Sequence, residues 1–262
     1  MISTRLATRL GYSGTVYYRD FLGRIHELLA PPTYLEIGVR NGDSLALARS
    51  PSIGIDPAYN LKVAPPPRAK LFPVTSDDFF ERDEPLMTFD GRRVGFSFID
   101  GMHLSEFALR DFVNVERHAD WTAAIVFDDI LPRDIPEANR DRTTHQWTGD
   151  VYKVLEVLEE HRPDLIVVRV STEPTGLGLV LGLDPDSTVL ADRLDAITEQ
   201  IVQPDPQPVP EAVLERRGAV TPDTVLTASF WDVLRDLRER GVSRDEGLPA
   251  LRAAVDRDLG VV

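Results

Sequence analysis

The sequence predicts an open α/β sheet, strands alternating with helices along most of the chain. Short apolar runs recur between helix-compatible segments, at Tyr34–Ile37, Ser52–Ile55, Lys70–Val74, Val94–Ile99, Ala123–Phe127, Leu165–Val170 and Gly176–Leu183. That alternation builds a sheet covered by helices. Polar residues stand at the ends of five of these runs: Glu36, Asp56, Ser76-Asp77, Asp100 and Asp128-Asp129. Turn residues alone would scatter acids over both strand ends, whereas ligands of open α/β sheets sit beyond the carboxyl ends. The first run also opens into a glycine-bearing turn, Gly38-Val39-Arg40-Asn41-Gly42-Asp43-Ser44.

Taken in order, residues 1–33 form an N-terminal helical segment. From Tyr17 to Leu29 the spacing sets Tyr17, Phe21, Leu22, Ile25, Leu28 and Leu29 on one helical face, and Pro31-Pro32 stops the helix. Ahead of it Gly11-Tyr12-Ser13-Gly14 reads as a loop, with Tyr12 either a flap residue over a site or a packing residue. Residues 34–202 carry the sheet. The helix after the first strand is expected over Gly42–Ala48, the helix after the fourth over Leu104–His118, and further helices over Asp150–His161 and Ser187–Val202. An insertion rich in Arg, Asp and Pro, residues 131–147, interrupts this domain as a candidate lid. Beyond it, Gln203–Pro210 is proline-rich and reads as a stiff spacer, followed by amphipathic helices at Ser229–Arg240 and Gly247–Leu259. Residues 203–262 are thus expected to be a linker and a helical appendage, serving substrate capture or contacts between copies in a homo-oligomer.

Composition excludes several classes. Among 262 residues, 29 Lys and Arg face 43 Asp and Glu, a net charge of -14. Such a surface disfavours nucleic acid and anionic membrane as partners. The absence of cysteine rules out disulfides, zinc–thiolate sites and cysteine nucleophiles. No basic segment leads into an apolar core at the start, and no apolar run reaches membrane-spanning length, so the expected location is cytoplasmic.

The glycine turn selects between nucleotide classes. A dinucleotide site uses G-x-G-x-x-G so that backbone can approach a pyrophosphate; only Gly38 and Gly42 are present, and Glu36 would oppose a pyrophosphate. S-adenosylmethionine carries an ammonium and a sulfonium and no phosphate, which suits an acidic loop. Asp56, twenty positions after Glu36, then fits the ribose hydroxyls, and Ser76-Asp77 falls near the adenine.

If the fourth and fifth strands are neighbours, their ends lie about 5 Å apart, and Asp100, Asp128 and Asp129 can converge on one point. Three such acids repel unless a cation or proton intervenes. Oxygen ligands select a hard divalent ion, Mg²⁺ or Mn²⁺; otherwise Asp128 or Asp129 caps the next loop and only two acids face the site. His103, three residues beyond Asp100, is the candidate general base for a substrate hydroxyl. His145 is a second candidate base, and Trp147 and Thr148 are candidates to stack on and hydrogen-bond an acceptor.

Together Glu36-x-Gly38-x-x-x-Gly42-x-Ser44, Asp56 and Asp100 resemble a class I S-adenosylmethionine-dependent methyltransferase over about residues 34–183. The resemblance implies a Rossmann-like, doubly wound sheet of seven strands with the last antiparallel. It also implies that Glu36 and Gly38 line the methionine part of the donor and Asp56 the ribose. Asp100-Gly101-x-His103 followed by Asp128-Asp129 resembles the metal-dependent O-methyltransferases of sugars, including the macrolide-sugar type, and so implies Mg²⁺ on the acids and His103 as base. Catechol-type enzymes carry Asp-Asn in place of Asp128-Asp129 and a lysine base, which the Asp100 turn lacks. The expected function is Mg²⁺-dependent methylation of a hydroxyl on a sugar, glycoside or oligosaccharide, in secondary metabolism or polysaccharide biosynthesis. A phenolic or polyketide acceptor, cofactor binding without catalysis, and an NAD(P)-dependent oxidoreductase are the alternatives.

Overall fold

The computed structural model describes residues 16–260. Seven strands form one sheet: β1 Tyr34–Ile37, β2 Ser52–Ile55, β3 Ala69–Phe72, β4 Val94–Ile99, β5 Ala119–Phe127, β6 Ile166–Val170 and β7 Leu177–Leu181, in the order β3-β2-β1-β4-β5-β7-β6. All pairings are parallel except those of β7 with β5 and β6, so the last strand alone runs antiparallel. This is a Rossmann-like, doubly wound sheet of seven strands with the last antiparallel, as expected. The order reverses between β1 and β4, and the crevice beyond their carboxyl ends is where such sheets take ligands.

Helices α1 Tyr18–Leu29, α2 Ser76–Phe80, α3 Ser105–His118, α4 Ile135–Ala138, α5 Lys153–His161, α6 Leu194–Ile201, α7 Glu211–Leu214, α8 Pro222–Leu226, α9 Phe230–Glu239 and α10 Arg244–Leu259 complete the chain. Central strands are buried on both faces, β4 throughout and β5 from Thr122 to Phe127, in keeping with their mainly apolar runs. Side chains alternate between the faces. Leu35, Ile37 and Ile99 join a core with α3 and α5, while Tyr34, Phe96 and Phe98 join one with α1, α9 and α10. Each fully buried side chain of this size stabilises the fold by about 1.5–3 kcal/mol.

Three elements depart from expectation. The helix foreseen over Gly42–Ala48 is a single 3₁₀ turn, Leu45–Leu47, because Ser50-Pro51 leads straight into β2. The helix foreseen over Ser187–Val202 is a 3₁₀ turn, Ala191–Arg193, and then α6. The segment expected as an appendage packs, over residues 203–260, as a layer on the sheet: Phe230, Trp231, Leu234, Leu251 and Val255 are buried against the α1 face. Within 203–210 the side chain of Gln207 is buried and accepts a hydrogen bond from Lys153 Nζ at 2.6 Å, so this proline-rich stretch is held to the domain. No helix among the described residues is long and apolar enough to cross a membrane.

Candidate active site

Gly38 sits where β1 leaves the sheet, at φ +92°. Its N–H donates to the Ile55 carbonyl (2.9 Å), and the Asp100 N–H donates to the Ile37 carbonyl (2.8 Å). A Cβ on Gly38 would stand 1.9 Å from the Asp100 carbonyl oxygen, so only glycine lets the two strand ends approach. One strand over, Ile99 pairs with Phe127, and the Asp128 N–H donates to the Ile99 carbonyl at 3.1 Å. Parallel register thus brings Gly38, Asp100 and Asp128-Asp129 to one edge.

These residues open onto a cavity of about 580 Å³ that also takes in Tyr17, Tyr18, Arg40, Asp56, His103, Arg142, His145, Trp147 and Thr175. Within it one ligand atom each of Asp100, His103 and Asp129 lie within 4.8 Å of one another. His103 Nδ1 stands 2.6 Å from Asp129 Oδ2, and Nε2 stands 3.3 Å from Asp100 Oδ1. Nδ1 also lies 2.9 Å from the Trp147 carbonyl. Asp128 lines the same cavity, but its Oδ1 accepts the Asp129 N–H at 2.9 Å, and it stands outside the close group. His103 and Asp129 hold left-handed backbone, at φ +56° and +63°. Non-glycine residues so held persist only where the surroundings fix them, and such strain clusters at functional sites.

The charges are mutually dependent. Burial raises the Asp100 carboxyl, and so does the Asp129 charge, against the pull of His103. Burial, Asp129 and Asp100 in turn hold Asp128 well above the usual carboxylate range. Burial alone would lower the His103 imidazole, but hydrogen bonds and charge from Asp100 and Asp129 outweigh it and keep it well above its ordinary value. Three carboxyl groups crowd one imidazole, more acids than it can neutralise once they ionise. Clustered oxygen donors and surplus negative charge fit a hard divalent cation.

The side of the cavity next to β1 and β2 holds Gly38, Arg40 and Asp56. Asp56 accepts the N–H of Arg40 (2.6 Å) on one oxygen and that of Ala58 (2.7 Å) on the other, leaving a lone pair on each. Gly42, at φ +85°, turns the loop from behind, its N–H on the Val39 carbonyl. Glu36 is the main displacement. It shares the inward face of Tyr34, is fully buried, and does not line the cavity. Its carboxyl accepts the Tyr34 hydroxyl (2.6 Å) and the Ser44 hydroxyl (2.7 Å), and burial pushes it up to about 8. Glu36 and Ser44 therefore brace the loop from below rather than touching a ligand in the cavity.

Ser76 and Asp77 are not brought to the cavity either. Ser76 is the first residue of α2, behind the Thr75 cap, and its side chain bonds the buried Asp111, while Asp77 pairs with Arg110 at 3.1 Å. Thr148 is fully buried, its hydroxyl on the Glu137 carbonyl. Trp147 does line the cavity, but its ring stacks on His103 at 5.3 Å and 6°, and the Arg142 guanidinium lies over it at 5.9 Å. His145 is also in the wall. Tyr12 lies outside the described residues. Tyr17 and Tyr18, from the start of α1, were not foreseen in the wall; the turn from coil into an amphipathic helix was the available signal. Burial and the charges of Asp128 and Asp100 push the Tyr18 phenol up, placing it beside the acids.

No protein-family model matches the chain, and no curated protein does. Solved structures of similar fold include an O-methyltransferase of Bacillus cereus in complex with S-adenosylhomocysteine, at 13% identity and TM-score 0.48, over 68% of this chain and 86% of that one. TomG of Streptomyces achromogenes, an O-methyltransferase of tomaymycin synthesis in complex with S-adenosylmethionine, matches at 14% and 0.45, over 64% and 80%. A methyltransferase of Podospora anserina bound to S-adenosylhomocysteine matches at 15% and 0.46, over 64% and 78%. The likeness is one of fold.

Proposed function

We propose that the protein is an S-adenosylmethionine-dependent O-methyltransferase that uses a divalent cation, Mg²⁺ or Mn²⁺, and methylates a hydroxyl of a sugar or glycoside. The observation that carries the reading is the meeting of Asp100, His103 and Asp129 within 4.8 Å, at the end of β4 and β5 and beside Gly38. A methyl donor in the crevice beyond β1 has Gly38 against its amino-acid part and Asp56 beside its ribose. Asp100 and Asp129, with Asp128 behind them, are the residues to hold the cation. Bound there, it would supply charge that offsets these carboxylates, so that a nearby hydroxyl would be more acidic and the His103 imidazole would give up its proton more readily. His103 then takes the acceptor proton on its imidazole as the acceptor oxygen forms its bond to the methyl carbon. The sulfur–methyl bond breaks, and the products are a methyl ether and S-adenosylhomocysteine. The walls exclude water and orient the acceptor through Tyr17, Arg142, His145 and Trp147.

A phenolic acceptor is the second reading, favoured by the aromatic side chains of Tyr17, Tyr18 and Trp147 in the wall. Radiolabelled methyl transfer to panels of saccharides and phenols, with and without a chelator, tests both. Transfer to saccharides that stops with chelation supports the proposal; transfer to phenols alone supports the second reading. Calorimetric binding of NAD in preference to S-adenosylhomocysteine overturns both.

A further inference from the structure

Gly149-Asp150 follow the 131–147 insertion, and this turn bears on His103 from two sides. Gly149 lies against it: at φ +56°, a Cβ there would fall 1.7 Å from the His103 carbonyl oxygen. Asp150, fully buried, holds the chain two residues further on, with Oδ1 accepting the Ser105 N–H at 2.8 Å and Oδ2 the Ser105 hydroxyl at 3.1 Å. His103 itself is left-handed, a conformation that costs a side-chain-bearing residue about 1–2 kcal/mol. Something must hold it there.

Asp150 is in turn fixed by two cations, one from within the insertion and one from α5. Arg140 Nη1 donates to Oδ2 at 2.9 Å while the same guanidinium pairs with Glu106. Lys153 Nζ donates to Oδ2 at 3.0 Å and continues to the Ile201 carbonyl and Gln207 Oε1, both at 2.6 Å. Arg140 and Asp141 are anchored through their N–H groups to Asp205, each at 2.9 Å. The side chains of Arg140 and Lys153 thus meet those of Asp150 and Glu106, and Lys153 Nζ donates to three acceptors.

We propose that Gly149 and Asp150 form a clamp that fixes the turn carrying His103, so that the imidazole faces Asp100 and Asp129 in the orientation methyl transfer needs. Asp150 is a positioning residue: it does not line the cavity and acts only through His103. The inference rests on the proposed function. The competing role is structural, with Asp150 serving only to neutralise Arg140 and Lys153.

A double-mutant cycle separates the two. Asp150→Asn keeps an oxygen for the Ser105 N–H and removes the charge that orders the network. It is expected to lower kcat about 10- to 100-fold, in line with a sub-ångström to 1 Å displacement of the base, while binding of S-adenosylhomocysteine by calorimetry stays within about twofold. In a His103→Ala background the same change is expected to cost less than about twofold, since residues acting as a unit are not additive. Equal losses in both backgrounds, or an unchanged kcat, overturn the clamp. Should Asp150→Asn fail to bind the donor product, Gly149→Ala decides by the same cycle, because it disturbs the His103 carbonyl and leaves the charges intact. If His103→Ala is as active as wild type, the base assignment falls first and the clamp with it. An enzyme that needs His103 and is indifferent to both clamp substitutions refutes the clamp alone.

Discussion

Replacing Gly38 by alanine tests the close approach on which the site is built. The new Cβ would lie 1.9 Å from the Asp100 carbonyl oxygen, 2.4 Å from its carbonyl carbon and 2.9 Å from the Gly101 nitrogen. All three are backbone atoms, so no side chain can swing aside, and the end of β4 must retreat by about 1.5 Å to restore ordinary contact. Overpacking of this kind costs about 1–3 kcal/mol. The left-handed φ adds about 1–2 kcal/mol for any side chain, for a total of about 2–5 kcal/mol. In a chain of this size that corresponds to a fall in Tm of about 4–20 °C. Gly91 supplies the control, with φ +79° and nothing within 4 Å of its would-be Cβ. Gly91→Ala carries the conformational cost alone, and the reduced entropy of the unfolded chain, common to both variants, cancels in the comparison. Urea unfolding of the two variants against wild type reads the difference, expected at about 1–3 kcal/mol. The Asp100 carboxylate moves with its backbone, so methyl transfer should also drop about 100-fold in Gly38→Ala and hold in Gly91→Ala. Gly38→Ala no less stable than Gly91→Ala would refute the approach of β1 to Asp100.

Glu36→Gln should flatten the pH dependence of stability. With its carboxyl raised from 4.5 to about 8 by burial, the folded protein keeps a proton that the unfolded chain releases. The Glu36 contribution is whole below pH about 4.5 and is lost as pH rises through about 8, so wild type should lose up to about 4 kcal/mol relative to the glutamine variant between about pH 5 and 8. Parallel pH profiles in chemical denaturation would show that Glu36 is not held neutral. Mg²⁺ at 100 times its Kd should raise stability by about 2.7 kcal/mol, visible as a higher Tm, and Asp129→Asn should abolish the rise; an equal rise in the variant places the cation elsewhere. Asp205→Ala removes the acceptor for the Arg140 and Asp141 N–H groups. It should destabilise the fold by about 1–3 kcal/mol and speed proteolytic nicking within residues 131–147, and an unchanged cleavage rate would separate the lid from Asp205.

How far the sequence could be read follows from what each signal encodes. The bounds of β1, β2 and β4 were legible because short apolar runs end abruptly in glycine or acid, and the meeting of Asp100, His103 and Asp129 in one cavity was foreseeable because each lies just past such a run. Glu36 was misplaced because it lies inside a run: as a residue of β1 it follows the alternation of the strand and turns into the core beside Tyr34. Ser76 and Asp77 follow an edge strand, and α2 begins at once and carries them toward α3. Tyr17 and Tyr18 reach the cavity from α1 by tertiary packing, which local periodicity does not record. The amphipathic stripe of α9 announced a buried face but not the surface it covers, which is α1 and the sheet.

That covering layer constrains how the chain can be made. Arg235 donates to the Leu28 carbonyl, and Arg238 to those of Leu29 and Ala30, contacts that span about two hundred residues of chain. During synthesis α1 and the sheet face beside it stay unsealed until α9 emerges, whatever order the strands adopt before then. Contacts of such separation are slow to form, and the apolar surface awaiting them is open to aggregation in the meantime. Chains halted before α9 should therefore depend on a chaperone for solubility, although every residue of the candidate site has already been made.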